Sequence, residues 1–235
     1  MPTQDTTARR KKHLLLRYVK QRNKKNPQHL IKIPEGFDVD PMQIGPPARE
    51  LLRNMQRMTG LKETGNFDRA TMLRLLPPGI RGSVMAIAHA ELGTHEWPPG
   101  TNRGEVLKYL KAAGIPFGAP WCVSFVYWVL LQAGFKRDHL PTGPASTPNW
   151  HTFAHAHNCE KSVHSSLSGD IWLWEWNNGD GMLDHGGFCD EGIKGYTAYY
   201  LDGNVGEYGG SVTDSQRSAG NVAYCIDLVK LHNLK

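Results

Sequence analysis

The chain has 235 residues, 40% of them hydrophobic, with a formal net charge of +5 and a pI near 9.0. That length suits one sizeable globular domain plus a small one. No window reaches the uninterrupted apolar length of a membrane helix, and no apolar stretch with a small-residue cleavage site follows the basic start. Neither membrane insertion nor a secretory signal is therefore expected.

Residues 1–35 read as a basic leader. Arg9, Arg10, Lys11, Lys12, Arg17, Lys20, Arg22, Lys24, Lys25 and Lys32 face only Asp5 within the first 32 residues. Leu14-Leu15-Leu16, Tyr18 and Val19 suggest a short helix, and Pro27 and Pro34 interrupt the chain beyond it. Such segments attract polyanions: nucleic acid, anionic lipid or phosphate-bearing wall polymers. Basic residues without interleaved aromatics name no specific nucleic-acid partner, and a solvated tail is expected.

Residues 36–78 read as a small helical module. Ala48, Leu51, Leu52, Met55 and Met58 mark one helical face, with Pro46-Pro47 before it and Gly60 after it. Asp68 is expected to cap a second helix through Ala70, Met72, Leu73 and Leu76. Pro77-Pro78-Gly79 ends the module, and residues 79–82 are expected to be a linker.

From 83 to about 158 the pattern is mainly helical. Ser83 is the expected cap of a helix carrying Val84, Ile87, Ala88 and Leu92, stopped by Gly93. The loop Trp97-Pro98-Pro99-Gly100-Thr101-Asn102 leads to a helix with Val106, Leu107, Leu110 and Ala113, stopped by Gly114. The run from Pro120 to Trp128 then sets Cys122 in the first turn of a helix. Val126, Val129, Leu130 and Ala133 share its face, and Gly134 closes the run. Unpaired N–H groups at a helix start carry partial positive charge, which favours an anionic sulfur as attacking species. Beyond 168 the character changes to strands: 169–174, 185–190, 195–202 and 221–229, with Gly, Asn and Asp between them. Helices first and strands afterwards predict an α+β domain with an antiparallel sheet. His185 opens one strand, and Asp202-Gly203-Asn204 ends another. A cysteine, a histidine and an orienting polar residue are the constellation for acyl transfer through a thioester.

These residues carry a resemblance. Residues 83–230 resemble the CHAP domain, a cysteine/histidine-dependent amidohydrolase/peptidase of the papain-like group that includes the NlpC/P60 hydrolases. The matching blocks, in order, are Ala90-Glu91-Leu92-Gly93-Thr94-His95-Glu96, Pro99-Gly100-Thr101-Asn102, Tyr109-Leu110, Trp121-Cys122-Val123-Ser124-Phe125-Val126, Gly169-Asp170-Ile171, Asp184-His185-Gly186-Gly187-Phe188 and Gly203-Asn204. Residues 41–76 resemble the small three-helix peptidoglycan-binding module, through Leu52, Met55-Gln56, Gly60-Leu61, Thr64-Gly65-Asn66-Phe67-Asp68 and Thr71. The resemblance implies a papain-like CHAP domain over 83–235. It implies a bacteriolytic wall hydrolase such as a phage endolysin or virion-associated lysin. Such a protein is made in the host cytoplasm without a signal peptide and acts as a monomer on peptidoglycan. The bond cut is either the N-acetylmuramoyl–L-alanine amide or one inside the stem or cross-bridge peptide.

Carried over residue by residue, the resemblance makes Cys122 the nucleophile and His185 the general base. Asp202 stands where many members have Glu. Asn204 lies two residues on, on the same strand face if the chain stays extended, and competes for the third position. Substrate contacts are expected from Trp121, Trp172, Trp174 and Asn102. Trp172, Trp174 and Trp176 alternate along a strand and share one face, as core packing or as a groove wall. Glu91, Glu96 and Asn102 also suit a role in tying a loop down.

No cofactor and no metal is expected. His151 and His155 are four apart, with His157 and Cys159 nearby, yet Trp150 and Phe153 suggest an ordinary amphipathic segment. Some CHAP domains hold calcium in an acidic loop before the cysteine; residues 114–121 contain no carboxylate. Cys189 and Cys225 read as small apolar strand residues in a reduced protein. The alternative function is a non-catalytic wall-binding or virion structural protein with a vestigial cysteine site.

Overall fold

The computed structural model describes residues 3–35, 37, 44–76, 78–175, 181–206 and 210–234, with side chains from residue 11 onward. The chain divides into two compact units, Met1–Pro78 and Gly79–Lys235. Among the described residues there are eight α-helices and one six-stranded antiparallel sheet, an α+β arrangement. No described helix is long and apolar enough to cross a membrane.

The first unit is built from α1 (Thr3–Lys25), α2 (Pro46–Met58) and α3 (Arg69–Leu75). The leader is not a solvated tail. Leu14, Leu15 and Val19 are buried, and α1 packs on both α2 and α3. Burying each such side chain contributes about 1.5–3 kcal/mol, which holds a helix that would be marginal alone. Ala48, Leu51, Leu52 and Met55 are buried along α2, whereas Met58 is exposed. Asp68 caps α3 by accepting from the Thr71 backbone N–H at 2.9 Å. The fully buried amide of Gln56 donates to Thr71 Oγ1 and Thr64 Oγ1 and accepts from the Gly65 N–H. The Thr64–Thr71 motif is thus fastened by Gln56, with Gly65 in the left-handed region (φ 67°).

The second unit opens with α4 (Ile80–Ala90), which starts earlier than the sequence pattern suggests. Gly79 is its N-cap and Ser83 lies inside it, so residues 80–82 form the first turn rather than a linker. Next come α5 (Leu107–Ala113), α6 (Cys122–Gln132) and α7 (Thr147–Ala156). The sheet comprises β1 (Glu160–Lys161), β2 (Ile171–Trp174), β3 (His185–Lys194), β4 (Thr197–Val205), β5 (Ser211–Ser218) and β6 (Val222–Ile226), and α8 (Leu228–His232) ends the unit. The strand order is β1-β6-β2-β3-β4-β5. Residues 227–229, expected to continue β6, leave the sheet because Asp227 caps α8. β5 has no counterpart among the expected strands: Ser-Val-Thr-Asp-Ser-Gln-Arg-Ser carries one apolar residue and forms the polar edge of the sheet.

Helix α6 packs across β3 and β4. Gly186 permits the approach, since a Cβ there would lie 2.8 Å from Val123 Cγ1 and 2.9 Å from Leu173 Cδ2. Away from that face, Asp170 is a fully buried anchor. Its oxygens accept from Arg81 (2.6 Å), Lys161 (3.0 Å) and the backbone N–H groups of Leu167 and Leu228, joining α4, β1, β2 and α8.

Candidate active site

Cys122 is the first residue of α6, directly after the N-cap Trp121, and is 5% exposed. Early N–H groups of a helix have no partner within it and point outward, so the sulfur sits where negative charge is favoured. His185 is the first residue of β3 and Asp202 lies on β4, opposite Gly187. In a pleated pair, residues 185 and 187 share a face, so Asp202 reaches diagonally to the imidazole. Nε2 lies 2.9 Å from Asp202 Oδ2. A carboxylate only accepts, so Nε2 carries the proton and Nδ1 is left for the other hydrogen-bond partner of the ring, the Cys122 thiol.

Both members of the His–Asp pair are out of water: His185 is 3% exposed and Asp202 is fully buried. Burial alone pushes an imidazole pKa down. The hydrogen bonds to Asp202 and Cys122 outweigh it and raise His185 to about 9. The second oxygen of Asp202 accepts from Thr213 Oγ1 (3.1 Å) and Ser215 Oγ (3.0 Å) of β5. The carboxylate is therefore hydrogen-bonded on both oxygens. Thr213 and Ser215 escaped the sequence reading; their alternation with Ser211 was the available sign of a polar edge strand.

Asn204 is not the orienting group. The ladder between β4 and β5 shifts register between Asp202 and Val205, and Asn204 adopts φ 63°. That bulge takes residue 204 off the face occupied by Asp202, against the expectation for an extended strand. Its side-chain oxygen instead crowds Gly210, where a Cβ would lie 2.6 Å from Asn204 Oδ1 and 2.4 Å from Glu96 Oε1.

Glu96 organises the other side. It is 2% exposed; Oε1 accepts from Trp121 Nε1 and Oε2 from the Asn102 backbone N–H, each at 2.9 Å. The Asn102 side chain in turn donates to the Gly118 carbonyl at 2.8 Å. One carboxylate so connects the loop 97–104 to Trp121, the residue before Cys122. Tyr109 supports the same indole from behind, with ring centroids 5.2 Å apart, and its hydroxyl donates to Glu91 at 2.6 Å. No family model, curated protein or solved structure matches this chain.

The expected substrate contacts need correction. Trp121 is fully buried against Tyr109 and Gly203, so it is a wedge beside Cys122 with no surface for a ligand. Trp172 is likewise fully buried, its indole donating to Ser166 Oγ at 2.7 Å. Trp174 is 2% exposed and packs its ring 4.8 Å from that of His185. Both belong to a core cluster with Cys189, Ala198, Tyr200 and Cys225, because that face of β2 is covered. They form core and not a groove wall; Trp176 lies outside the described residues. Asn102 is half-buried and its amide is spent on Gly118.

The histidine quartet does not converge. His151 and His155 both pair with Glu160, at 3.1 and 3.0 Å, whereas His157 faces the Phe153 carbonyl and Cys159 is fully buried. Among the described residues no group of three or more His, Cys, Asp or Glu is placed to hold a metal ion. All four cysteines are free thiols, and burial raises the Cys189 and Cys225 pKa values, the latter to about 11.

Proposed function

We propose that residues 79–235 form a papain-like CHAP cysteine hydrolase that cuts an amide bond of bacterial peptidoglycan, in the manner of a phage endolysin or virion-associated lysin. The observation that carries this reading is one buried imidazole held between the Asp202 carboxylate and the Cys122 thiol at a helix start. The ordered CHAP-like blocks of the sequence name the substrate class.

In this mechanism the Cys122 sulfur, its proton held by His185, attacks the scissile carbonyl. The tetrahedral oxyanion is received at the start of α6, with the Cys122 N–H as one donor. The C–N bond breaks as His185 gives its proton to the leaving amine. Water, deprotonated by His185, then attacks the thioester and releases the carboxylate and the free thiol. Asp202 keeps the ring in the tautomer and orientation that both half-reactions need. The first unit, by its resemblance to a peptidoglycan-binding module, holds the enzyme on the wall.

Turbidity clearing of purified wall material tests this reading. Wild-type protein clears the suspension and Cys122→Ala does not. Clearing by the alanine variant at the wild-type rate removes the mechanism. Selective alkylation of Cys122 near neutral pH separates a working site from a vestigial one.

A further inference from the structure

Asp202 is a fully buried carboxylate, and the His185 ring is the one cationic partner of its side chain among the described residues. Its other oxygen, Oδ1, rests on two hydroxyls, Thr213 Oγ1 at 3.1 Å and Ser215 Oγ at 3.0 Å. The register puts them there. Thr213 stands opposite Asp202 and Ser215 opposite Tyr200, so both side chains share the face of Asp202. The two hydroxyls also meet each other at 2.8 Å. Each carries one proton, and a carboxylate donates none, so two protons serve three oxygen contacts. At least one of them must point at Oδ1. The start of β5 is fastened from outside: the Val212 N–H donates to the Thr94 carbonyl at 2.9 Å. The Gly93 N–H donates to the Val212 carbonyl and the Glu96 N–H to the Gly210 carbonyl, each at 3.0 Å.

We propose that Thr213 and Ser215 are positioning residues that lower the proton affinity of the His185–Asp202 pair. The consequence for catalysis rests on the hydrolase reading above; the effect on the pair does not. While His185 is an imidazolium, Asp202 has a counter-charge beside it. Once the ring is neutral, the carboxylate is a lone buried anion, which is costly unless donors surround it. The two hydroxyls therefore stabilise the deprotonated pair more than the protonated one, and they ease the departure of the ring proton. Without them the pair holds its proton harder.

The other titratable groups at the pair are Cys122 from α6 and Tyr200 from β4. Arg217 of β5 lies one step further, its Nε donating to the Tyr200 hydroxyl. Burial pushes the Tyr200 pKa up, so that phenol stays neutral, and a guanidinium keeps its charge throughout. Neither confuses a titration of the imidazole. In the proposed reaction His185 gives a proton to the leaving amine and later takes one from water. A ring that clings to its proton slows the first transfer.

NMR titration of the His185 imidazole in the full chain tests this without substrate; its resonance is the one missing from His185→Gln. Thr213→Val keeps the β-branched shape and removes the hydroxyl. It and Ser215→Ala each raise the titration midpoint, by roughly 0.5–1 pH unit. Thr213→Ser keeps the wild-type midpoint. In wall clearing, the upper limb of the pH–rate profile moves to higher pH by the same amount, and the plateau rate falls about three- to tenfold. A midpoint that stays put or falls in either folded variant overturns the proposal. So does a Thr213→Ser midpoint that matches Thr213→Val, since packing and not the hydroxyl would then set it. Ser215 is half-buried, so its alanine variant decides the matter if Thr213→Val does not fold. Raised midpoints in a protein whose wild type clears no wall remove the hydrolase reading and leave the effect on the pair standing.

Discussion

At His185, burial and hydrogen bonding pull in opposite directions, and the hydrogen bonds win, raising the pKa to about 9. The folded chain therefore favours the imidazolium over the ordinary value of 6.5. Its contribution to stability is fully present below that ordinary value and is lost as pH rises through about 9. Under the proposed hydrolase mechanism activity should fall over the same upper limb, because the leaving amine would lack its proton donor. A pH–rate profile together with denaturation midpoints from pH 6 upward checks both. Asp202→Asn replaces the acceptor facing Nε2 by a group that cannot carry charge. We expect a rate loss of roughly a hundred- to ten-thousandfold and a downward shift of the upper pH limb, read from the same profile. A variant that lost rate through misfolding alone would leave that limb in place.

Helix α6, β3 and β4 meet at glycines beside the edge-to-face pair of Phe125 and Phe188, whose ring centroids are 6.1 Å apart. At Gly203 a Cβ would lie 2.4 Å from Trp121 Cζ3 and 3.2 Å from Phe125 Cβ; at Gly187 it would lie 2.7 Å from Asp202 Cβ and 2.8 Å from the Leu201 carbonyl. Neither neighbour is the free end of a flexible chain. Gly203→Ala and Gly187→Ala should each cost about 1–3 kcal/mol in urea unfolding, by overpacking. Gly220, whose nearest neighbour would be 3.8 Å away, is the control and should tolerate alanine within about 0.5 kcal/mol. The Gly186-Gly187 and Gly203 positions were legible as motif letters. Their physical reason was not, since a sequence gives no interatomic distances: Gly186 and Gly203 clear room for residues 121–125, and Gly187 for the neighbouring strand β4.

Across the molecule, charge is divided unevenly between the units. Residues 1–78 hold 16 Lys and Arg against 7 Asp and Glu, a balance of +9; residues 79–235 hold 11 against 15, a balance of −4. The basic character is thus a property of a folded unit and not of a tail. Leu15→Ala tests this: in a solvated leader it would change nothing, whereas a fully buried leucine cut to alanine costs about 2–5 kcal/mol. The expected result is an earlier unfolding transition for the first unit, measured by calorimetry on the full chain.

Periodicity, glycine stops and the order of short motifs were enough to place the helix of Cys122, the strand of His185 and the α+β class, because those features are local. The helix beginning at Cys122 and the Asp68 cap needed nothing beyond the sequence, but α6 is buried on nearly every side rather than along the one expected face. Tertiary structure alone decided the rest. It chose Asp202 over Asn204 through a bulge, and it buried Trp121, Trp172 and Trp174. It also supplied Thr213 and Ser215 from a polar edge strand and turned the leader into a packed helix. Each of these depends on which distant residue covers a face. Local pattern encodes that a side chain is apolar or polar, but not what comes to stand against it.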